Sequence, residues 1–324
     1  MVRAIGRAIS FFLLRLASCT RLKAVKRAAL VSEAADLAKL YRVSKRDHFR
    51  LKDYDPDDTR GMKDKKEAKN LLEHSRNLLS EFQEKLYAQD RWALLIIFQA
   101  MDAAGKDGAV KHVMSGINPQ GCDVTSFKAP SKEELDHEYL WRAHRAVPQR
   151  GKIGIFNRSY YEEVLVVRVH ADLLNAQQLP KELISKRIWE ERYEDINNFE
   201  KYLQRNGIIV MKFFLHLSKG EQKKRFLERL EMPEKNWKFS MADVKERAYW
   251  KDYQHAYEEM IQNTATKHAP WHVIPADNKW FTRLAVAGAV IEKLHSLDLQ
   301  FPEVDDDKKK ELAQVRKALL AGKE

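Results

Sequence analysis

Cysteine is nearly missing from this chain: Cys19 and Cys122 are the only two in 324 residues. A disulfide framework has no support, and a reducing, cytoplasmic setting is expected. Long apolar runs are also missing. No stretch reaches the ~18 residues that a membrane span requires, so none is expected. Acids are absent from residues 1–27, where Arg3, Arg7, Arg15, Arg21, Lys23, Lys26 and Arg27 hold seven of the formal +11 charges, leaving +4 for the rest. A strongly basic body would point to nucleic acid or another polyanion. This body is only mildly basic, so a local groove must supply any attraction for an anion, and no specific nucleic-acid partner is expected. A well-formed sorting signal is lacking too. Arg15 interrupts the apolar stretch 9–14, and Arg21 and Lys23 follow the small residues around Ser18. Residues 1–41 read as a basic extension and leader. No internal repeat is visible, and His137 and His144 stand seven apart without metal-ligand spacing.

What is present alternates. Residues 63–89 carry Leu71, Leu72, Leu78, Leu79, Phe82 and Leu86 at helical spacing. The run Ala93-Leu94-Leu95-Ile96-Ile97-Phe98 that follows is too short for a typical helix and suits a central parallel strand buried on both faces. Further strands are predicted at 123–127, 152–156, 208–215 and 272–275. Helices are predicted at 106–115, 133–145, 181–205, 221–230, 242–262 and 279–297. Strands alternating with helices give a parallel sheet covered on both faces, a three-layer α/β/α architecture. Residues 42–302 form one domain with a mobile insertion around 218–245, and 303–324 form a charged tail.

The turn after the first strand reads Gln99-Ala100-Met101-Asp102-Ala103-Ala104-Gly105-Lys106-Asp107-Gly108. Strand, loop, Gly-Lys, helix is the context of a phosphate-binding loop, in which backbone N–H groups and a helix N-terminus cradle anionic oxygens. Candidate phosphate contacts are therefore Ala103, Ala104, Gly105, Lys106, Asp107 and Gly108. Two positions depart from G-x-x-x-x-G-K-[ST]: Ala100 replaces the first glycine, and Asp107 replaces the Mg²⁺-contacting hydroxyl. Asp102, inside the loop, is a candidate Mg²⁺ ligand or proton acceptor, or else a helix cap.

Four blocks together resemble the polyphosphate kinase 2 family. They are Met101 to Gly108; Gly154-Ile155-Phe156-Asn157-Arg158-Ser159-Tyr160-Tyr161-Glu162-Glu163-Val164 onward to Arg168; Pro233-Glu234-Lys235-Asn236-Trp237-Lys238-Phe239-Ser240; and Ile274-Pro275-Ala276-Asp277-Asn278-Lys279-Trp280. The resemblance spans roughly 42–302. It implies a P-loop kinase fold with a helical lid, a homo-oligomer (dimer or tetramer), and Mg²⁺- or Mn²⁺-dependent transfer between inorganic polyphosphate and AMP, ADP or ATP. Asn157-Arg158-Ser159 and Asn118-Pro119-Gln120-Gly121 resemble the class III branch, whose members phosphorylate both AMP and ADP. Asn157 stands where other branches carry a metal-binding aspartate, which shifts the metal onto Asp102 and phosphate oxygens.

Physical chemistry then assigns roles within the blocks. Arg158, just past a strand's carboxyl end, can grip two phosphate oxygens with its planar fork. Asn157, Glu163 and Arg168 are nucleotide-binding candidates, although Glu163 and Arg168 could simply pair with each other. Lys223, Lys224, Arg225, Arg229, Lys235 and Lys238 form a basic segment, of which Lys235 and Lys238 are taken as lid cations over the transferring phosphate. Lys128, Arg142 and Arg145 could prolong a cationic path. Tyr249, Trp250 and Tyr253 read as helix packing.

Overall fold

A computed structural model describes residues 27–44, 48–236 and 241–322. Six strands form one sheet: β1 (Arg42–Val43), β2 (Ala93–Gln99), β3 (Cys122–Ser126), β4 (Ile153–Asn157), β5 (Ile208–His216) and β6 (Trp271–Pro275), in the order β1-β6-β5-β2-β4-β3. All pairings are parallel except β1 with β6. The longer helices are α1 (27–41), α2 (Lys65–Gln89), α3 (Lys106–Val113), α4 (Ile188–Arg205), α5 (Lys219–Glu231), α6 (Trp250–Thr264), α7 (Lys279–His295) and α8 (Asp306–Leu320).

The pleat of β2 sorts its side chains between two cores. Leu94, Ile96 and Phe98 pack with Met211, Phe213 and Leu215 of β5 under α1, α2, α3 and α7. Leu95 and Ile97 pack with Val210, Phe214 and Phe156 under α4 and α6. Every residue of β2 is buried, as the unbroken apolar run predicts, and each large aliphatic side chain so buried contributes roughly 1.5–3 kcal/mol. The α2 stripe behaves as its spacing predicts, with Leu72, Leu78, Leu79, Phe82 and Leu86 buried, while Leu71 lies at the margin.

Three expectations need correction. Residues 27–41, read as part of a leader, form one helix, α1, which sends Ala34, Ala38 and Tyr41 into the core. Small residues on α7 admit it, since a Cβ on Gly288 would lie 3.3 Å from the Ala34 carbonyl oxygen. The predicted helix 133–145 is two short ones, Lys132–Leu135 and Trp141–Arg145. Between them the Glu138 carboxylate accepts from the Leu140 N–H at 2.6 Å, competing with a helical carbonyl for that donor. The predicted helix 181–205 becomes regular only at Ile188.

Beneath α4, the second core holds a closed polar network. Lys212 Nζ donates to Glu200 Oε2 (2.6 Å), Tyr161 Oη (3.0 Å) and the Thr264 carbonyl (2.8 Å), which uses all three of its donors. Glu200 Oε1 also accepts from the Tyr160 and Tyr161 hydroxyls, at 3.0 and 2.8 Å. Lys212 and Glu200 are both fully buried. The network pins the 3₁₀ turn Tyr160–Val164 that leaves β4. Among the described residues no helix is long and apolar enough to cross a membrane.

Candidate active site

Register brings the loop and the Asn157-Arg158 block together. Phe98 of β2 pairs with Asn157 of β4, so the chain leaves both strands side by side. The Arg158 N–H donates to the Phe98 carbonyl at 3.1 Å. One guanidinium nitrogen of Arg158 lies 3.0 Å from Asp102 Oδ1, and the other lies 3.9 Å from Glu162 Oε2. Asn157 Nδ2 donates to Asp107 Oδ1 at 2.7 Å. Gln99, fully buried at the end of β2, donates to Ser159 Oγ at 3.1 Å.

The loop turns on two left-handed residues, Ala103 (φ +63°) and Gly105 (φ +100°). Gly105 occupies the N-cap position of α3 at no steric cost, whereas Ala103 accepts a strain of roughly 1–2 kcal/mol. Ala100, the departure from glycine, is not among the residues with positive φ and needs none of glycine's freedom. Lys106 opens α3, and its ammonium donates to the Ala100 carbonyl at 2.7 Å. Burial lowers its pKa, with Asp102 opposing that shift and Arg158 adding to it. Burial raises the pKa of Glu162 while Arg158 and Lys106 pull it down. Arg158, facing Glu162 and Asp102, is held more firmly charged, its pKa raised by Glu162 first.

Arg158 also faces a cavity of about 360 Å³, lined further by Tyr160, Glu162, Glu163, Tyr139 and Phe127, a size suited to a small molecule. A larger hollow of about 630 Å³ lies at the sheet edge beside β1, around Tyr41, Arg60 and His216. It shares no residue with the loop, so its size carries no weight against the position of the smaller one.

The insertion lies over this site. Asp243, in the turn Met241–Glu246, has its pKa raised by burial and then by the charge of Asp102, and it pairs with Arg229 of α5 at 3.8 Å. Arg225 of α5 is only 3% exposed, with its guanidinium bonded to the Ala103 and Ala104 carbonyls.

Of the predicted residues, Asp102, Lys106, Asp107, Asn157 and Arg158 converge. Glu163 lines the cavity but does not pair with Arg168: it accepts from Gln177 and meets Arg192 at 3.2 Å. Arg168 bonds Tyr193 and Glu259 instead, because its short helix packs against α6. Lys235 belongs to the one-turn helix Pro233–Asn236, and Lys238 lies outside the described residues. Arg142 also lines the cavity, but Glu134 meets it at 3.3 Å. Sequence reasoning missed Glu162, Gln222, Arg225 and Asp243. Adjacent glutamates on a 3₁₀ turn point about 120° apart, so the pair Glu162-Glu163 could have announced one carboxylate for the loop and one for the cavity.

For a divalent metal, the nearby carboxylates are Asp102, Glu162 and Asp243, but no group of three acidic, His or Cys ligands converges among the described residues. That fits an ion held by one or two carboxylates and otherwise by substrate phosphates, the usual manner of Mg²⁺.

A strand–loop–lysine–helix turn on a parallel sheet, with a pocket one arginine away, is the arrangement of a P-loop kinase fold. The sequence model of the family described as Polyphosphate kinase 2 matches residues 62–302, and the chain belongs to that family. It is 54% identical over 251 residues to the ADP-polyphosphate phosphotransferase of Rhodopseudomonas palustris, covering 77% of this chain and 87% of that one. It is 44% identical over 266 residues to the AMP/ADP-polyphosphate phosphotransferase of Meiothermus ruber, covering 82% and 96%. The crystal structure of polyphosphate kinase 2 from Arthrobacter aurescens TC1 superposes with a TM-score of 0.79 at 42% identity, covering 87% of this chain and 96% of that one.

Proposed function

We propose that loop 100–106 holds the polyphosphate end and the 360 Å³ cavity holds the adenine nucleotide, in the transfer of phosphoryl groups between polyphosphate and adenine nucleotides that this kinase catalyses. The observation that carries this reading is the double membership of Arg158, which lines the cavity and is bonded to Asp102 of the loop. A phosphoryl group passing between the two places would pass over that guanidinium.

The reaction exchanges one phosphoanhydride for another. A nucleotide phosphate oxygen attacks the terminal phosphorus of polyphosphate, a P–O bond forms, and the bond to the shortened chain breaks. The attacking oxygen is already anionic near neutral pH, so the site must neutralise charge rather than remove a proton. Lys106 and the loop amides bind the donor, Arg158 spans donor and acceptor, and Lys235 and Lys238 are the lid cations proposed to neutralise the transferring group. Asp102, with Glu162, would hold Mg²⁺ or Mn²⁺, which supplies charge neutralisation across the phosphates. AMP and ADP are both acceptors in this reading, and the reaction runs in both directions.

The test supplies polyphosphate as sole donor with AMP or ADP and Mg²⁺, in the absence of ATP. ADP and ATP should accumulate. Product that appears only when ATP is the donor would leave an ordinary nucleotide kinase instead.

A further inference from the structure

Two side chains of α5 take three consecutive carbonyls of the loop, those of residues 102–104. Gln222 Nε2 donates to the Asp102 carbonyl at 2.9 Å. Arg225 Nη1 donates to the carbonyls of Ala103 (3.0 Å) and Ala104 (2.9 Å), and its Nη2 to those of Ala276 (2.6 Å) and Asp277 (2.9 Å). Its Nε donates to Glu221 at 2.9 Å. An arginine has five N–H donors, and this one places five hydrogen bonds. Gln222 is as secluded as Arg225, at 1% and 3% exposure. Its own orientation is fixed, because Oε1 accepts from Arg247 Nη1 at 2.7 Å and so leaves the NH₂ for the loop.

In a trans peptide the carbonyl and the N–H point to opposite edges. Carbonyls bound on the α5 side therefore turn the N–H groups of Ala103 and Gly105 away from α5, while the Ala104 N–H closes the turn on the Met101 carbonyl at 3.3 Å. Left alone, a loop with alanine at a left-handed position could relax by rotating a peptide plane, which would aim a carbonyl dipole at the anion. We infer that Gln222 and Arg225 are positioning residues for the donor phosphate, locking the planes of residues 102–104 so that the loop presents amides and no carbonyl. A lysine at 225 would keep the charge but could not span acceptors on two separate turns from one tetrahedral nitrogen. This inference rests on the reading that the loop holds polyphosphate.

The experiment measures KM for polyphosphate and KM for AMP separately, with kcat and melting temperature, in Gln222→Glu, Gln222→Met and Arg225→Lys. Gln222→Glu can still accept from Arg247 but cannot donate to Asp102 and adds a negative charge, so its effect should be at least that of Gln222→Met. Both should raise KM for polyphosphate about 5- to 10-fold, the scale of one lost hydrogen bond, with KM for AMP within about twofold. Arg225→Lys should raise it further. If Arg225→Lys does not fold, the two Gln222 variants decide alone. An unchanged polyphosphate KM in folded Gln222→Glu overturns the inference. So does a parallel rise in both KM values accompanied by a lower melting temperature, which is the mark of a merely structural role. Lys106→Ala in the same assay separates the levels: if it weakens AMP rather than polyphosphate, the assignment of the donor to the loop fails whatever the α5 variants do.

Discussion

The two faces of the sheet bury their side chains on different terms. Toward α1, α2 and α7, Leu94, Ile96, Phe98, Met211 and Phe213 pack mostly among apolar groups, with the buried His272 ring stacked on Phe213 as the exception. Toward α4 and α6, the same strands offer Leu95, Ile97 and Phe214 but also Lys212, whose ammonium is closed off by Glu200, Tyr161 and Thr264. An apolar face tolerates small changes gradually, whereas a buried charge network works only when complete. The complete network lies under the turn that delivers Glu162 and Glu163. The site lies where the two meet: the apolar face packs Ala100, Ala104 and the helix that Lys106 opens, and the network face holds the turn of Glu162 and Glu163.

The sharpest way to break that contrast is Lys212→Met, which strands the buried Glu200 carboxylate. It should cost about 3–5 kcal/mol in urea unfolding, and adding Glu200→Gln should recover part of the loss. A cost under about 1 kcal/mol would mean that the network is not the rigid element described. Next comes Lys106→Ala, expected to lower turnover on the order of 10²–10³-fold with the urea midpoint unchanged. Near-normal turnover would remove this lysine from the chemistry.

A third effect depends on pH. His216 is buried with Nδ1 lacking a partner, and burial pushes its pKa down to about 4. The unfolded chain takes up a proton near pH 6.5 and the folded chain only near 4, so this group removes stability as pH falls through that window and nothing above it. Between pH 6.5 and 5 the loss is about 1.5 kcal/mol. Thermal unfolding of His216→Gln should lose correspondingly less than the parent over that interval; equal slopes would assign the acid sensitivity elsewhere. On the apolar face, Ile96→Val should cost only about 0.5–1.5 kcal/mol and leave both KM values unmoved. A shift in either KM would show that packing under the loop and α3 tunes the site.

Much of this was legible in the residues. Most strands announced themselves because central parallel strands are largely apolar runs, though the exposed edge strand β3 is not one, and the loop because glycine and lysine stand between such a run and a helix. The pairing of Asp102 with Arg158 was not legible, since it depends on β2 lying beside β4. Nor was Arg225, which in sequence is one cation in a basic run and in space is the buried one. The two residues of β1 escaped because a strand so short has no periodicity, and α1 because its buried face is mostly alanine. Choosing between Glu162 and Glu163 required the direction of a single turn.

The last helix, α8, illustrates the opposite extreme from the network around Lys212. Every residue from Asp306 to Leu320 is exposed, and the helix is sustained by the Asp305 cap and its own ion pairs, such as Lys308 with Glu311. Fifteen residues without tertiary support are marginal as a helix in water. Its amide protons should therefore trade with deuterium orders of magnitude sooner than those of β2, as a segment that melts and re-forms many times before the sheet opens once.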